Sequence, residues 1–191
     1  MNIASRLKGR VERAAFDFRA GVYTGGLQPT RYADQGACDT VSTDLRILPF
    51  LLNPVLRKGD VFVDIGCGRG RVLHWVLARG LASEVVGIEL DKRVAAAAAK
   101  SLDGRMDATV IAGNALNSLP DAATLLYLWN PFNADVMAKF RDVVVQKYTR
   151  LGTLKSLRIV YHNAMHAEIW GRVEDLALPE WVSKRAVLVT F

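Results

Sequence analysis

The 191-residue chain has few of the residues that build disulfide frameworks or metal sites. Its two cysteines, Cys38 and Cys67, are too few for a disulfide framework, and we interpret both as reduced thiols of a cytoplasmic protein. The three histidines and two cysteines lack the short paired spacing of zinc ligands, so no metal site is predicted. The sequence therefore predicts neither a disulfide framework nor a metal site.

Long apolar runs are also missing. No run approaches the roughly 20 residues that span a bilayer, and residues 1–6 lack the apolar core of a secretory signal. Apolar residues make up 51% of the chain and charged residues 23%, which is enough to bury a sizeable core. We expect a single cytoplasmic domain over residues 1–191. Residues 1–45 would form a helical or lid segment, and residues 46–191 the core.

Positive charge exceeds negative charge by six, and much of the excess lies in the first 20 residues. Basic and apolar residues alternate there at helical spacing, which predicts an amphipathic helix that packs on the domain and keeps a basic face in solvent. The alternative is a basic surface for an acidic acceptor, anionic lipid or nucleic acid. The chain has no clustered aromatics or known nucleic-acid module, which argues against nucleic acid. The basic residues are Arg6, Lys8, Arg10, Arg13 and Arg19, and the apolar ones are Leu7, Val11, Ala14, Ala15 and Phe18.

The most informative segment is the glycine-rich one in the first half of the chain. A β-branched apolar run leads to Asp64, and Gly66, Gly68 and Gly70 follow at alternate positions before a helical pattern begins. Glycine admits positive φ and lets a ligand approach the backbone, and free N–H groups at the helix start face the same ligand. The segment predicts a cofactor loop, and an ordinary strand–helix turn is the alternative.

A second buried strand ends near Glu89. An acid about 20 residues beyond a glycine turn is placed to accept both hydroxyls of a ribose. Asp91 suits the N-cap of the next helix, which begins at Lys92. With Asp91 as the cap, Glu89 remains free for a ligand.

The series Asp64-x-Gly66-x-Gly68-x-Gly70, followed by Glu89, resembles motifs I and II of class I S-adenosylmethionine-dependent methyltransferases. The resemblance covers about residues 45–191 and implies S-adenosylmethionine as the cofactor. In that family the glycine loop lies under the methionine part of the cofactor. The acid at the position of Asp64 helps to hold the α-amino group, often through water, and the acid at Glu89 binds the ribose.

Further cofactor contacts are implied at the ends of the second and third strands of the core. The family usually has an acid after the third strand, which accepts from the adenine N6 amine. This chain has Asn114 there, whose side-chain carbonyl is able to do the same. The implied set is completed by Cys67, Leu90, Ala115 and Asn130.

The fourth strand of the core ends in Trp129-Asn130-Pro131-Phe132, which resembles the [DN]-P-P-[YF] motif of amine-directed methyltransferases with one proline missing. An Asn130 oxygen and a neighbouring carbonyl would accept two N–H bonds and aim the amine lone pair at the methyl group. Pro131 fixes φ without adding a donor, and Phe132 would wall the pocket or stabilise positive charge. An Asx-Pro turn is the alternative.

The fifth strand of the core is followed by two more candidates. His162 is able to act as a general base, but we prefer the interpretation that His162 and Asn163 cap the next helix. Tyr23 and Tyr32 either close over the cofactor or pack internally, and the sequence does not decide between these roles.

Alternating strand and helix patterns predict an α/β fold with a doubly wound, Rossmann-like sheet of seven strands. The resemblance implies the strand order 3-2-1-4-5-7-6 with the last strand antiparallel. N-terminal helices precede the sheet, including one predicted over residues 40–56, where leucines recur on one side.

The favoured function is therefore S-adenosylmethionine-dependent methyl transfer to an amine, carried by a protein lysine, a protein terminus or a small molecule. Two alternatives are a nicotinamide-dependent oxidoreductase and a non-catalytic scaffold. The glycine spacing argues against the first and the intact motif residues argue against the second. Peripheral membrane contact through the basic helix stays open.

Overall fold

The computed structural model describes residues 3–21 and 23–191, and the side chains of residues 3–10, 20, 27, 28, 40 and 41 are outside that description. The helices are α1 Ile3–Ala20, α2 Leu48–Leu52, α3 Arg71–Leu77, α4 Lys92–Ser101, α5 Ala115–Ser118 and α6 Ala134–Arg150. The strands are β1 Leu27–Gln28, β2 Thr40–Val41, β3 Val61–Ile65, β4 Glu84–Glu89, β5 Ala108–Ala112, β6 Leu125–Trp129, β7 Arg158–His162, β8 Val173–Asp175 and β9 Ala186–Val189.

Strands β3 to β9 form one sheet in the order β5-β4-β3-β6-β7-β9-β8. Numbered within the sheet, this is 3-2-1-4-5-7-6. The strands from β5 to β7 are parallel, and β9 is antiparallel to both of its neighbours. The predicted doubly wound sheet is confirmed. Its strand order reverses beside β3, so a ligand is expected beyond the carboxyl end of that strand.

Strand β3 is apolar except for Asp64, because helices cover both faces of the sheet. Val63 packs in a cluster with Phe140 of α6, whereas Phe62 packs on the other face with Leu73 of α3 and Leu51 of α2. Successive side chains of a strand point to opposite faces, so one short strand anchors both layers and fixes the position of the loop that follows it.

The predicted helix over residues 40–56 is wrong for most of its length. Thr40 and Val41 form β2, which pairs with β1 in a separate two-stranded sheet, and only the five residues of α2 are α-helical. Pro49 lies in the first turn of α2, where the missing N–H costs nothing. Thr40 and Val41 are β-branched and favour a strand. The regularly spaced leucines therefore mark buried positions and do not indicate one long helix.

Helix α1 confirms the predicted helix, but it does not pack as predicted. Phe16 contacts the core, and Asp17 accepts hydrogen bonds from the Thr24 hydroxyl at 2.5 Å and the Thr24 N–H at 3.1 Å. Val11 and Phe18, expected to pack on the domain, are 63% and 87% exposed. None of the helices over the described residues is apolar and long enough to span a membrane. The predicted side-chain positions of Arg6, Leu7, Lys8 and Arg10 are outside the described residues.

Candidate functional site

A cavity of about 520 Å³ opens beyond the carboxyl ends of β3, β4, β5 and β6. Its floor includes the glycine loop, and residues between 24 and 43 cover it from the other side. We call residues 29–43 the roof. The volume lies within the range of pockets that bind small molecules, and the position is the one that the strand order indicates.

The glycine loop follows β3 directly and is attached to β4. The N–H groups of Gly66 and Cys67 donate to the Ile88 carbonyl at 2.8 and 3.1 Å. Gly66 and Gly68 line the cavity with φ values of +75° and +54°, which favour glycine. Gly70 lies off the cavity wall and starts α3 with φ +82°. Its contact with the cofactor stays a prediction, whereas its positive φ shows a conformational role at the start of α3.

Two buried carboxyl groups lie at the floor of the cavity. Burial, and then the charge of Glu89, raises the pKa of Asp64 to about 8. Burial also raises the pKa of Glu89, although backbone N–H groups partly offset it. No Lys or Arg over the described residues lies within ion-pair distance of either group. The site is therefore suited to a ligand that brings positive charge and hydroxyl donors.

Glu89 is held rigidly at the end of β4. Its Oε2 accepts from the Gly68 N–H and its Oε1 from the Asp91 N–H, each at 2.9 Å. Asp91 in turn accepts from the Arg93 N–H at 2.9 Å, so the predicted N-cap of α4 is confirmed. A carboxylate oxygen accepts more than one hydrogen bond, so Glu89 retains capacity for the two hydroxyls of a ribose.

Cys67 lines the cavity, but its side chain also packs against β4. A Cβ on Gly87 would lie 2.7 Å from the Cys67 Sγ, so only glycine leaves room for this thiol. Burial raises the pKa of Cys67 well above its ordinary value. Both Cys67 and Cys38 are free thiols. The Cys67 side chain therefore packs between the glycine loop and β4, a contact that the sequence did not predict.

Beyond β4 and β5, three of the predicted cofactor contacts meet at the cavity. Leu90, Asn114 and Ala115 all line it. The Asn114 Oδ1 accepts from the Leu116 N–H at 2.9 Å and caps α5. The amide oxygen that was predicted to meet the adenine amine thus already has one partner, and it keeps a second acceptor position.

The end of β6 contributes an aromatic part of the wall. Trp129, Pro131 and Phe132 line the cavity, whereas Asn130 does not. The Asn130 Oδ1 accepts from the Tyr161 hydroxyl at 2.7 Å, and the residue has φ +40°. The Pro131 carbonyl accepts from the N–H of Cys38 in the roof at 2.9 Å. Both predicted acceptors for an incoming amine already have protein donors, so a direct contact of Asn130 with an acceptor stays a prediction.

His162 lies behind this wall. Its ring stacks on Trp129 with centroids 5.1 Å apart, and its Nδ1 lies 3.3 Å from the Tyr127 hydroxyl. Burial, and then the charge of Lys184, lowers the pKa of His162 to about 4. The preferred interpretation of His162 as a helix cap is wrong, because the 3₁₀ turn Ala167–Trp170 starts after His166 without a side-chain cap. The geometry gives no support to a general base either.

The roof is attached to the segment that follows β6 by backbone contacts between residues that are far apart in the chain. Ala37 and Phe132 form an antiparallel bridge, and the Asn133 N–H donates to the Gly36 carbonyl at 2.9 Å. Of the two undecided tyrosines, Tyr32 lines the cavity. Tyr23 is 62% exposed and packs below the Arg69 guanidinium instead.

Arg71 is a site residue that sequence reasoning missed. It is the first residue of α3, yet it is buried and lines the cavity. Its Nε donates to the Thr24 hydroxyl at 3.0 Å and its Nη1 to the Thr43 carbonyl at 3.1 Å. The one signal for Arg71 in the sequence is its position at the start of the helix that follows the glycine loop. Its partners Thr24 and Thr43 lie far from it along the chain, so no local pattern predicts the contacts.

The comparisons with known proteins agree with this geometry. A family model described as a methyltransferase domain matches residues 62–151. The match covers just under half of the chain and supports the predicted enzyme class. The match spans the strands that surround the cavity, from β3 to the end of α6. No curated protein sequence matches the chain.

Solved structures resemble the methyltransferase in fold. A candidate tRNA (m1A22) methyltransferase of Streptococcus pneumoniae has a TM-score of 0.56 and 13% identity over 79% of this chain and 70% of its own. An RNA methyltransferase of Salinibacter ruber, in complex with S-adenosyl-L-homocysteine, has a TM-score of 0.55 and 19% identity over 79% and 93%. A mitomycin 7-O-methyltransferase has a TM-score of 0.54 and 18% identity over 70% and 49%. The chain thus spans about half of that enzyme.

The predicted enzyme class and cofactor are confirmed. The domain model identifies a methyltransferase, and the shared fold is one that holds S-adenosyl-L-homocysteine in the Salinibacter ruber structure. The residues at the cavity fit such a ligand, since they combine a glycine loop with two buried acids that have no ion pair over the described part of the chain. The acceptor of the methyl group is a separate question.

Proposed function

We propose that this methyltransferase transfers the methyl group of S-adenosylmethionine to the nitrogen of a small amine. The observation that carries the proposal is the aromatic lining of the cavity by Tyr32, Trp129 and Phe132. Methylation of a neutral amine produces a cation at nitrogen, and aromatic faces stabilise a nearby cation. A hydroxyl acceptor loses its proton and ends neutral, so it would gain little from this wall.

The proposed cofactor position follows from the floor of the cavity. Asp64 would hold the α-amino group, Glu89 the ribose hydroxyls, and Leu90 would contact the adenine. Bound S-adenosylmethionine supplies a methyl group on a sulfonium, which leaves S-adenosylhomocysteine when the amine lone pair takes the methyl. The protein's part is to align the nitrogen with that methyl group and to exclude water.

The roof supports a small amine over a lysine of a folded protein. Residues of the roof cover the cavity and are hydrogen-bonded to its aromatic side, so a bulky acceptor would have to displace them. His162 does not line the cavity, and its pKa, lowered to about 4 by burial, makes it a weak base, so the amine is expected to arrive already neutral. We assign Asn130 and Pro131 a positioning role. Asn130 accepts a hydrogen bond from Tyr161 and Pro131 accepts one from the roof, and both contacts hold the aromatic wall in place.

The test begins with cofactor binding. Calorimetry should show binding of S-adenosylmethionine and S-adenosylhomocysteine and none of NAD, and absence of binding by the folded protein would favour a non-catalytic scaffold. Methyl transfer is then assayed on matched panels of small amines and alcohols, with RNA added because two of the structural neighbours are described as RNA-directed enzymes. Transfer to alcohols or RNA alone would overturn the proposal.

The aromatic wall is tested by Trp129→Leu, which keeps an apolar side chain but removes the aromatic face. We expect turnover of an amine to fall about tenfold while the affinity for S-adenosylhomocysteine changes little. Phe50→Leu is the matched control, because Phe50 is an aromatic on α2 and 45% exposed away from the cavity. Trp129→Phe should restore most of the turnover, and unchanged turnover in Trp129→Leu would remove the role of the wall.

A further inference from the structure

Helix α1 exposes an apolar stripe to solvent. Val11, Ala14, Ala15 and Phe18 are all exposed, and their spacing of three, four and seven residues places them on one helical face. We call these four residues the α1 stripe. Its two large members, Val11 and Phe18, are 63% and 87% exposed. A contiguous apolar face in solvent marks an interaction surface more often than a lone apolar residue does.

The outward orientation of the α1 stripe is fixed by contacts on the opposite side of the helix. Phe16 packs against the core that includes α2 and α3. Asp17 is hydrogen-bonded to Thr24 and lies 4.0 Å from the Arg71 guanidinium. The polar and apolar contacts that dock α1 therefore use a different face, and the stripe is left for another occupant.

The charge of α1 indicates what that occupant is. The helix carries five basic residues and two acidic ones, a net charge of +3. Asp17 and Arg13 both line a smaller cavity on the docked side of the helix, so these two charges cancel there and the rest of the helix keeps the net charge of +3. An apolar stripe on a basic helix fits an anionic bilayer, where the apolar side chains enter the acyl boundary and the basic ones meet the headgroups. A second copy would bring two basic helices together, which disfavours pairing.

We propose that α1 binds the surface of anionic lipid bilayers through the α1 stripe. The helix lies in the plane of the interface and does not cross it, in agreement with the absence of a spanning segment over the described helices. The contact holds the methyltransferase domain at the membrane surface with the docked face of α1 toward the protein.

The proposal is tested by sedimentation with vesicles. The full chain should sediment with vesicles of an equal mixture of phosphatidylcholine and phosphatidylglycerol, and far less with phosphatidylcholine alone. Phe18→Ser should lower the partition coefficient about tenfold, because one large apolar contact is lost. Arg19→Gln should lower it about fivefold, and the effect should weaken in high salt.

Met106→Ser is the control, because Met106 is 100% exposed and lies outside α1. It should sediment like the unchanged chain, and equal affinity of all variants for S-adenosylhomocysteine shows that they are folded. Equal sedimentation of Phe18→Ser and the unchanged chain would overturn the proposal. So would a dimer in light scattering that Phe18→Ser dissociates, since a second copy would then cover the stripe.

Discussion

Two aspartates at opposite ends of β3 are equally buried and differently partnered. Asp60 precedes the strand and is 5% exposed, and Asp64 lies near its carboxyl end and is 3% exposed. Asp60 pairs with the Arg158 Nη2 at 2.5 Å and accepts from the Thr124 hydroxyl and the Arg57 N–H, each at 2.7 Å. Asp64 makes no ion pair over the described residues. At one end of β3 the Asp60 carboxylate is neutralised by a protein cation. At the other end the Asp64 carboxyl has no such partner over the described residues and is available to a ligand.

The largest expected effect is the loss of the charge at Asp60. Asp60→Asn leaves the buried Arg158 guanidinium without its counter-charge, so the free energy of unfolding should fall by about 3–5 kcal/mol. Urea denaturation measures this difference. Asp121→Asn is the control, because it breaks an ion pair to Lys147 in which Asp121 is 71% exposed, and it should change stability little. A small effect at Asp60 would mean that Arg158 is served by its other partners, which include the Val55 carbonyl.

Asp64→Asn should reverse this pattern, with a loss of binding and no loss of stability. The affinity for S-adenosylhomocysteine should fall by about 1.5–3 kcal/mol, the usual value of a hydrogen bond to a charged group. The folded-state pKa of Asp64 is raised from 3.8 to about 8, so its contribution to stability is complete below pH 3.8 and is lost as pH rises through 8. The variant should therefore match the unchanged protein at acid pH and exceed it above pH 8, as urea denaturation would show. Equal losses of stability in both aspartate variants would remove the contrast.

The smallest expected effect is the pH dependence of cofactor affinity. A bound α-amino group favours the charged form of Asp64, so binding releases a proton below the free-protein pKa of about 8. Affinity should therefore weaken as pH falls below 8, by at most about tenfold per unit. Calorimetry in buffers of different ionisation enthalpy measures the number of protons that are released on binding. The α-amino group of the ligand titrates nearby, so the difference between the unchanged protein and Asp64→Asn isolates the carboxyl, and identical pH profiles would contradict its role.

The parts of the fold that were predictable from the sequence depend on local patterns. Strand β3 and helix α4 have the bounds expected from their apolar run and their Asp91 cap. The glycine loop and Glu89 meet at one cavity because parallel strands place their carboxyl ends at one edge. These features need only the strand pattern, the turn chemistry and the direction of each strand.

The parts that were not predictable depend on distant partners. The roof is held by Ala37 and Phe132, which are far apart in the chain. Asn130 is turned to Tyr161 by a hydrogen bond that spans 31 residues. His162 is placed behind the wall by stacking on Trp129 of the neighbouring strand. Each residue type suggested a role, but its side-chain direction is set by a contact that no local pattern contains.

The bridge between the roof and the end of β6 has a consequence for the catalytic cycle. The same few hydrogen bonds that hold residues 36–38 over the cavity also brace the aromatic side on which an acceptor would rest. A displacement of residues 36–38 would therefore alter the cover of the cavity and the aromatic wall together, so a substitution that breaks this bridge is expected to change cofactor affinity and turnover in parallel.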